Sequence, residues 1–162
     1  MLIEMKVAGL AIDPLTNMPI LLLRDLEEVR TIPIWIGLVE ASSIATELQE
    51  VELARPMTHD LVRNLLVELG AEVMHVEVND LRDNTYYATL VVKHGGRVLE
   101  LDARPSDAIA IAMRCGCSVY VDEQVLTKAG CMDLRGDTPP RPDPATDILG
   151  ALPDNCFGKW KM

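Results

Sequence analysis

The stretch "LVVKHGGRVLELDARPSDAIAIAM", residues 90–113, joins the two elements on which the fold turns. Gly95 and Gly96 stand between alternating apolar flanks, and a pair of glycines can supply the positive φ angles that a two-residue hairpin turn requires. Closing the chain there sets His94 opposite Arg97, and so Val92 opposite Leu99 and Leu90 opposite Leu101. Thr89 then falls opposite Asp102, and Tyr87 opposite Arg104, on the other face. Apolar meets apolar at every step, which fixes the register, because a slip of one residue would send each side chain to the wrong face. Directly afterwards Ser106 is the expected cap of a helix whose "AIAIAM" is apolar all round and therefore buried.

Working outward, residues 72–80 alternate Met74, Val76 and Val78 against His75, Glu77 and Asn79. A three-residue loop at Asp83–Thr85 would add this strand to the hairpin, with Val78 beside Leu90 and Asn79 beside Thr89. The meander would have one dry face and one polar face carrying Glu77, Asn79, Thr89, Glu100 and Asp102. Upstream, Thr58 is the expected cap of a helix with Leu61, Leu65, Leu66 and Leu69 on one side and Gly70 as its stop. Leu38, Ala41, Ile44, Ala45, Leu48 and Val51 keep helical spacing over 38–52. Residues 2–12, "ILLLRD" and "TIPIWI" read as strands, the first two joined by the turn "DPLTNMP", and Pro33 confines the third to an edge or a bulge. "SVYVD" is the last strand. The sum is an α+β fold: a mixed, largely antiparallel sheet with three main helices in a single domain over 1–127. Five of the ten prolines fall between 139 and 153, so 128–162 is expected to be a flexible, disordered Pro-rich tail.

A chain of 162 residues with 49% hydrophobic content can bury a core. No uncharged run approaches the ~20 residues of a membrane span. The start, "MLIEMKVAGLAID", alternates and carries Glu4 and Lys6, unlike a signal or transit peptide. The expectation is a cytoplasmic protein with no membrane partner. Cys115 and Cys117 are separated by one residue, too few for a common zinc knuckle, and with Cys131 and Cys156 they read as reduced thiols. Residues 1–127 hold 20 acidic and 10 basic side chains within a net charge of −10. Such a surface lacks the basic run that grips phosphates, so any nucleic acid would be bound weakly. A metal ion can nevertheless bridge carboxylates to phosphates.

Phosphate-binding glycine loops, dinucleotide motifs, serine elbows and paired-histidine zinc helices are all missing. Three polar corners remain. "RPMTHDL" (55–61) puts His59 and Asp60 in a first helical turn, where Asp60 complements the helix dipole for ~0.3–1 kcal/mol and His59 could shuttle a proton. "DARPSDA" (102–108) offers Asp102, Arg104 and Asp107, either as a cap with a local ion pair or as two carboxylates for a divalent ion beside a phosphate clamp. "DLRDNTYYA" (80–88) adds Asp80, Arg82 and Asp83, which an Asp-Asn turn explains without any function.

Taken together, "PIWIGLVEASSIATEL", "RPMTHDL", "DLRDNTYYA" and "DARPSDAIAIAMR" resemble, in order, the signature blocks of the bifunctional nuclease domain family. The resemblance covers roughly 1–127. It implies an α+β fold and hydrolysis of RNA or DNA phosphodiesters, an activity credited chiefly to plant members. Glu40, His59, Asp60, Asp83, Arg104 and Asp107 stand in those blocks. On this reading His59, Asp60, Asp102 and Asp107 are the candidate catalytic groups. Arg55, Arg82 and Arg104 would bind substrate, and Asp83, Asp102 and Asp107 would hold a divalent cation, Mg or Mn, with no organic cofactor. The alternative is a non-catalytic homo-oligomeric interaction or regulatory module. Ile34, Trp35 and Ile36 in succession put apolar side chains on both faces of a short strand, so a homodimer or higher homo-oligomer is expected.

Overall fold

Gly95 and Gly96 take φ angles of 55° and 77° and close the hairpin between β5 (Thr85–His94) and β6 (Arg97–Ala103). The register is the expected one, from His94 opposite Arg97 through Leu90 opposite Leu101 to Thr89 opposite Asp102. The computed structural model describes residues 1–130 and 132–133. Its other strands are β1 (Leu2–Ile12), β2 (Pro19–Asp25), β3 (Arg30–Trp35), β4 (Ala71–Arg82), β7 (Ser118–Asp122) and β8 (Met132–Asp133). The helices are α1 (Leu38–Leu48), α2 (Thr58–Glu68), α3 (Pro105–Cys115) and α4 (Glu123–Lys128). The architecture is α+β. Of the expected tail, Cys131 and 134–162 lie outside the described residues.

One sheet runs in the order β6-β5-β4-β7-β1-β2-β3-β8. Every neighbouring pair is antiparallel except β4 and β7. Among the described residues, β7 alone pairs with both antiparallel blocks, β6-β5-β4 and β1-β2-β3. Tyr86 at the start of β5 donates its hydroxyl to the Pro33 carbonyl on β3 at 3.0 Å. Five strand spacings would put these strands ~24 Å apart in a flat sheet, so the sheet curls strongly toward closure. α3 lies over β4, β5 and β7 with α1 and α2 against it. Its Ala108, Ile109, Ala110, Ile111 and Ala112 are all buried, and the small alanines let the two flanking helices approach.

The β4–β5 register departs from expectation. Asp83 and Asn84 both take positive φ, 47° and 60°, and make a two-residue turn where three residues were expected. These side chains tolerate the left-handed region, so the shorter turn closes. A bulge between Val78 and Asp80 then sets Val78 opposite Ala88 and Glu77 opposite Thr89. Asn79, at that bulge, still reaches Thr89 with a 2.7 Å hydrogen bond. The dry face is also narrower than expected. Leu99 and Leu101 are 41% and 43% exposed although their partners Val92 and Leu90 are buried.

The helix caps differ in kind. α1 ends at Leu48, short of residue 52, with Gln49 as its C-cap and Glu50 in the left-handed region. Met57, not Thr58, is the N-cap of α2, and Arg104, not Ser106, is that of α3. Among the described residues no helix is long and apolar enough to cross a membrane.

Asp25 closes the β2–β3 connection while 2% exposed. It accepts from the Val29 and Arg30 amides at 2.8 and 3.0 Å and from Arg30 Nε at 3.0 Å. Burial pushes its carboxyl up, but the hydrogen bonds from Arg30 and Val29 outweigh that and hold it below the ordinary value. A folded-state pKa below the unfolded one gives stability that is complete above the unfolded value of ~3.9 and is lost as pH falls through the folded one. Asp25→Asn should therefore cost about 1–3 kcal/mol at pH 7 and flatten the acid limb below pH ~4. Urea titrations at a series of pH values check this, and parallel acid limbs in wild type and variant would refute it.

Candidate functional site

Each of the three main helices carries a carboxylate at its third residue: Glu40 in α1, Asp60 in α2 and Asp107 in α3. That position lies beside unpaired backbone amides and the positive end of the helix dipole, which favours an acid there. Here Glu40 and Asp107 are also tied to each other by Arg104, and Asp60 is tied to α3 by Arg114. Arg104, leading into α3, donates from Nε to Asp107 Oδ2 at 2.6 Å and places Nη2 2.7 Å from Glu40 Oε1. Asp107 Oδ1 lies 2.9 Å from His59 Nε2, and His59 Nδ1 lies 2.7 Å from Ser43 Oγ.

A second branch runs through Arg114, in the last turn of α3, whose side chain is 2% exposed. It donates from Nε to Asp60 Oδ1 at 2.6 Å, from Nη1 to the Ala110 carbonyl at 3.0 Å and from Nη2 to the Ser43 carbonyl at 3.1 Å. Asp60 Oδ2 accepts the Met57 amide at 2.7 Å and so caps its own helix. Ser43 belongs to both branches, by its hydroxyl and by its carbonyl.

Protonation states follow from the donors. Burial raises the Asp107 carboxyl, but hydrogen bonds from Arg104 and His59 outweigh it and keep the group below its ordinary value. A carboxylate only accepts, so His59 Nε2 carries the hydrogen of their bond. His59 Nδ1 faces the fully buried Ser43. Ser43, His59 and Asp107 line up like a nucleophilic triad, yet a 0% exposed serine reaches no substrate. This run of hydrogen bonds holds Asp107 in place. Asp60, by the same balance of burial against bonds from Arg114 and Met57, is also held below the ordinary carboxylate range.

Gly37, the residue before α1, makes room for this geometry. A Cβ built there would stand 2.2 Å from Glu40 Oε2, so the carboxylate folds back over a bare Cα. Arg104 occupies the space between Glu40 and Asp107, and that pair of carboxylate acceptors suits a guanidinium. Among the described residues no three His, Cys, Asp or Glu side chains converge to hold a metal ion. A larger cleft of about 600 Å³, on the side of α2 that faces the start of β4, takes in Cys115 and Cys117. Burial raises both thiols, Cys117 to about 11, which leaves them protonated and poorly nucleophilic.

Residues 21–142 match the bifunctional nuclease domain. The chain belongs to that family. An uncharacterized protein of Mycobacterium tuberculosis is 45% identical over 129 residues, covering 80% of this chain and 77% of the relative. Bifunctional nuclease 1 of Arabidopsis thaliana is 29% identical over 121 residues, 73% of this chain but 37% of the plant protein. Bifunctional nuclease 2 of the same plant is 27% identical over the same coverage.

In this bifunctional nuclease domain the expected residues separate into two groups. Glu40, His59, Asp60, Arg104 and Asp107 converge, although they come from segments far apart in the chain. Asp102 does not join them: it is exposed on β6, opposite Thr89. Asp83 sits in the β4–β5 turn. Arg82 pairs with Asp80, which also binds Lys128, and lies 4.8 Å from the centroid of the Tyr87 ring. Arg55 is exposed in the loop before α2, on the other side of Asp60. Ser43 and Arg114 were missed. The signal for Ser43 is a polar residue at a core-facing position between Ala41 and Ile44; Arg114 reads locally as a C-terminal dipole partner.

Ser43→Ala would leave the buried His59 Nδ1 without its hydroxyl and should cost about 1–3 kcal/mol. Chemical denaturation measures it, and a loss below the error of that measurement would contradict the bond. Gly37→Ala should behave differently. The atom it strikes is the end of a flexible side chain, so the fold should lose no more than about 1 kcal/mol, while the Glu40–Arg104 pair breaks. In a double-mutant cycle, Gly37→Ala and Glu40→Gln should then be non-additive; simple additivity would show that Glu40 had kept its place.

Proposed function

We propose that this domain hydrolyses phosphodiester bonds of RNA or DNA at the rim where Glu40, Arg104 and Asp107 meet. The observation that carries the reading is Arg104. It is the exposed member of the cluster, with 66% side-chain exposure, and two carboxylates on two helices fix its orientation. A guanidinium held in this way presents its remaining N–H groups to solvent as a prepared fork for a phosphate. It would neutralise charge as it develops on the phosphoryl oxygens. Asp107, ionised and 29% exposed, orients the attacking water. His59 and Ser43 fix Asp107, so their role is positional. The plant nucleases to which the chain is similar support the reaction class. Of the three carboxylates expected to hold a divalent cation only Asp107 lies at this rim, and a cation entering between it and Glu40 would have to displace Arg104.

Cleavage of a labelled oligonucleotide by purified protein, with and without a chelator, tests this. Asp107→Asn and Arg104→Ala should each lower the rate at least about a hundredfold, equivalent to ~2.7 kcal/mol of barrier, with a melting temperature close to wild type. An unchanged rate with a lowered melting temperature would reduce the cluster to helix capping.

A homo-oligomeric module is the second reading. Its first motive changes place, because Ile34 and Ile36 are 3% and 5% exposed within a single chain and need no partner. Trp35 is 51% exposed, with its indole N–H on Asp13 Oδ2 at 3.1 Å. The surface that favours association is β6, the open edge of the sheet, where Val98, Leu99 and Leu101 are 63%, 41% and 43% exposed. Light scattering at micromolar concentration should report a homo-oligomer that Leu99→Lys dissociates; a clean wild-type monomer would end this reading.

A further inference from the structure

Most of the described cations are spent on carboxylates. Lys6 pairs with Glu28, Arg30 with Asp25, Arg82 and Lys128 with Asp80, Arg104 with Glu40 and Asp107, and Arg114 with Asp60. Arg55 and Arg63 have no carboxylate partner among the described residues, and both line one cleft of about 300 Å³ between the end of α1, the 51–57 segment and α2. Arg114 also faces this cleft, where it offsets Asp60 and, at 3.7 Å, Glu47. Three guanidiniums against two carboxylates make the cleft locally positive in a chain of net charge −10.

That combination selects the ligand. Two guanidinium forks without a carboxylate partner, of which Arg63 donates only to Asn64 Oδ1 at 3.4 Å, match phosphate oxygens in geometry as well as charge. The cleft is too small for a folded partner but large enough for a phosphate and its sugar. It also shares a wall with the Arg104–Asp107 rim: Asp60 follows His59 in α2, and Arg114 bonds the carbonyl of the serine whose hydroxyl bonds His59. We propose that Arg55 and Arg63 form a second phosphate site, which holds the backbone of a single-stranded nucleic acid away from the bond being cut. The assignment rests on nucleic acid being the substrate.

Fluorescence anisotropy of a labelled single-stranded oligonucleotide across a salt series tests it, and needs no hydrolysis to be read. Arg55→Ala/Arg63→Ala should weaken binding at least about tenfold at low salt and reduce the slope of log K against log salt by ~0.7, the value for one phosphate on a single strand. Lys93→Ala/Arg97→Ala removes the same charge from the β5–β6 hairpin and should change binding far less. Equal losses in both pairs would mean that only net charge matters and would overturn the site. So would an oligonucleotide that fails to bind the wild type, or inorganic phosphate alone raising the melting temperature through Arg55 and Arg63 while the oligonucleotide does not bind. An oligonucleotide that binds through this pair without being cleaved would sustain the site and remove the nuclease reading instead.

Discussion

The helical layer depends on one buried guanidinium. Arg114 leaves α3 at its last turn and, almost wholly out of solvent, bonds a carboxylate of α2, a carbonyl of α1 and a carbonyl of its own helix. Burying a charge is costly unless it is paired and fully hydrogen-bonded, and removing one partner of such a pair typically costs ~3–5 kcal/mol. Arg114 is paired and donates from each of its three nitrogens, so it acts as a register pin: α1 and α2 are held in the arrangement about α3 that supplies those acceptors. That arrangement brings Ser43 against His59 and carries His59 to Asp107. The exposed Arg104 is then fixed as the far end of a chain that starts in the core.

The fold was legible where local rules and burial agree. The Gly-Gly turn and the alternating strands beside it set a register that the structure keeps. The misreadings share a physical origin, since each local signal has a competitor that the sequence does not rank. A hydroxyl residue near a helix start suggested capping by its side chain, yet at α2 Asp60 reaches back to the Met57 amide and leaves Thr58 as an ordinary first residue. Asp83-Asn84 could close a tighter turn than expected, and the bulge at Asn79 shifted the register by one further residue. The extent of the dry face was misjudged because alternation shows which side chains share a face but not whether a helix covers them.

The site divides along similar lines. His59, Asp60, Arg104 and Asp107 were visible because each marks a helix start, but each could equally be explained by its own helix. What decides their role is contact between helices, and contacts across 48 or 54 residues of chain leave no periodicity to read. Asp102 and Asp83 lie within the same signature stretches and have the right chemistry for a metal ligand. One is exposed on an edge strand and the other forms a turn, and neither bonds to the cluster that their type suggested. Ser43 was concealed by company: a serine among alanines and isoleucine at core spacing looks like filler until a buried histidine is found beside it.

The joining of the two sheet blocks through β7 has a consequence for biogenesis. As the chain is synthesised, β1-β2-β3 can form early, and β4-β5-β6 can form as a second local unit. Neither can dock on the other until residues 118–122 emerge, because that strand pairs with β1 on one side and β4 on the other. The pairing of β1 with β7 spans more than 110 residues, and such distant closure slows folding because the loop entropy is lost before the contacts form. Until then the flanks of β1 and β4 present open apolar edges, the kind of surface that nascent-chain chaperones shield. The strand that completes the sheet is only five residues long, so a mild lesion there should show itself first as poor yield from the cell rather than as altered chemistry in the protein that does fold.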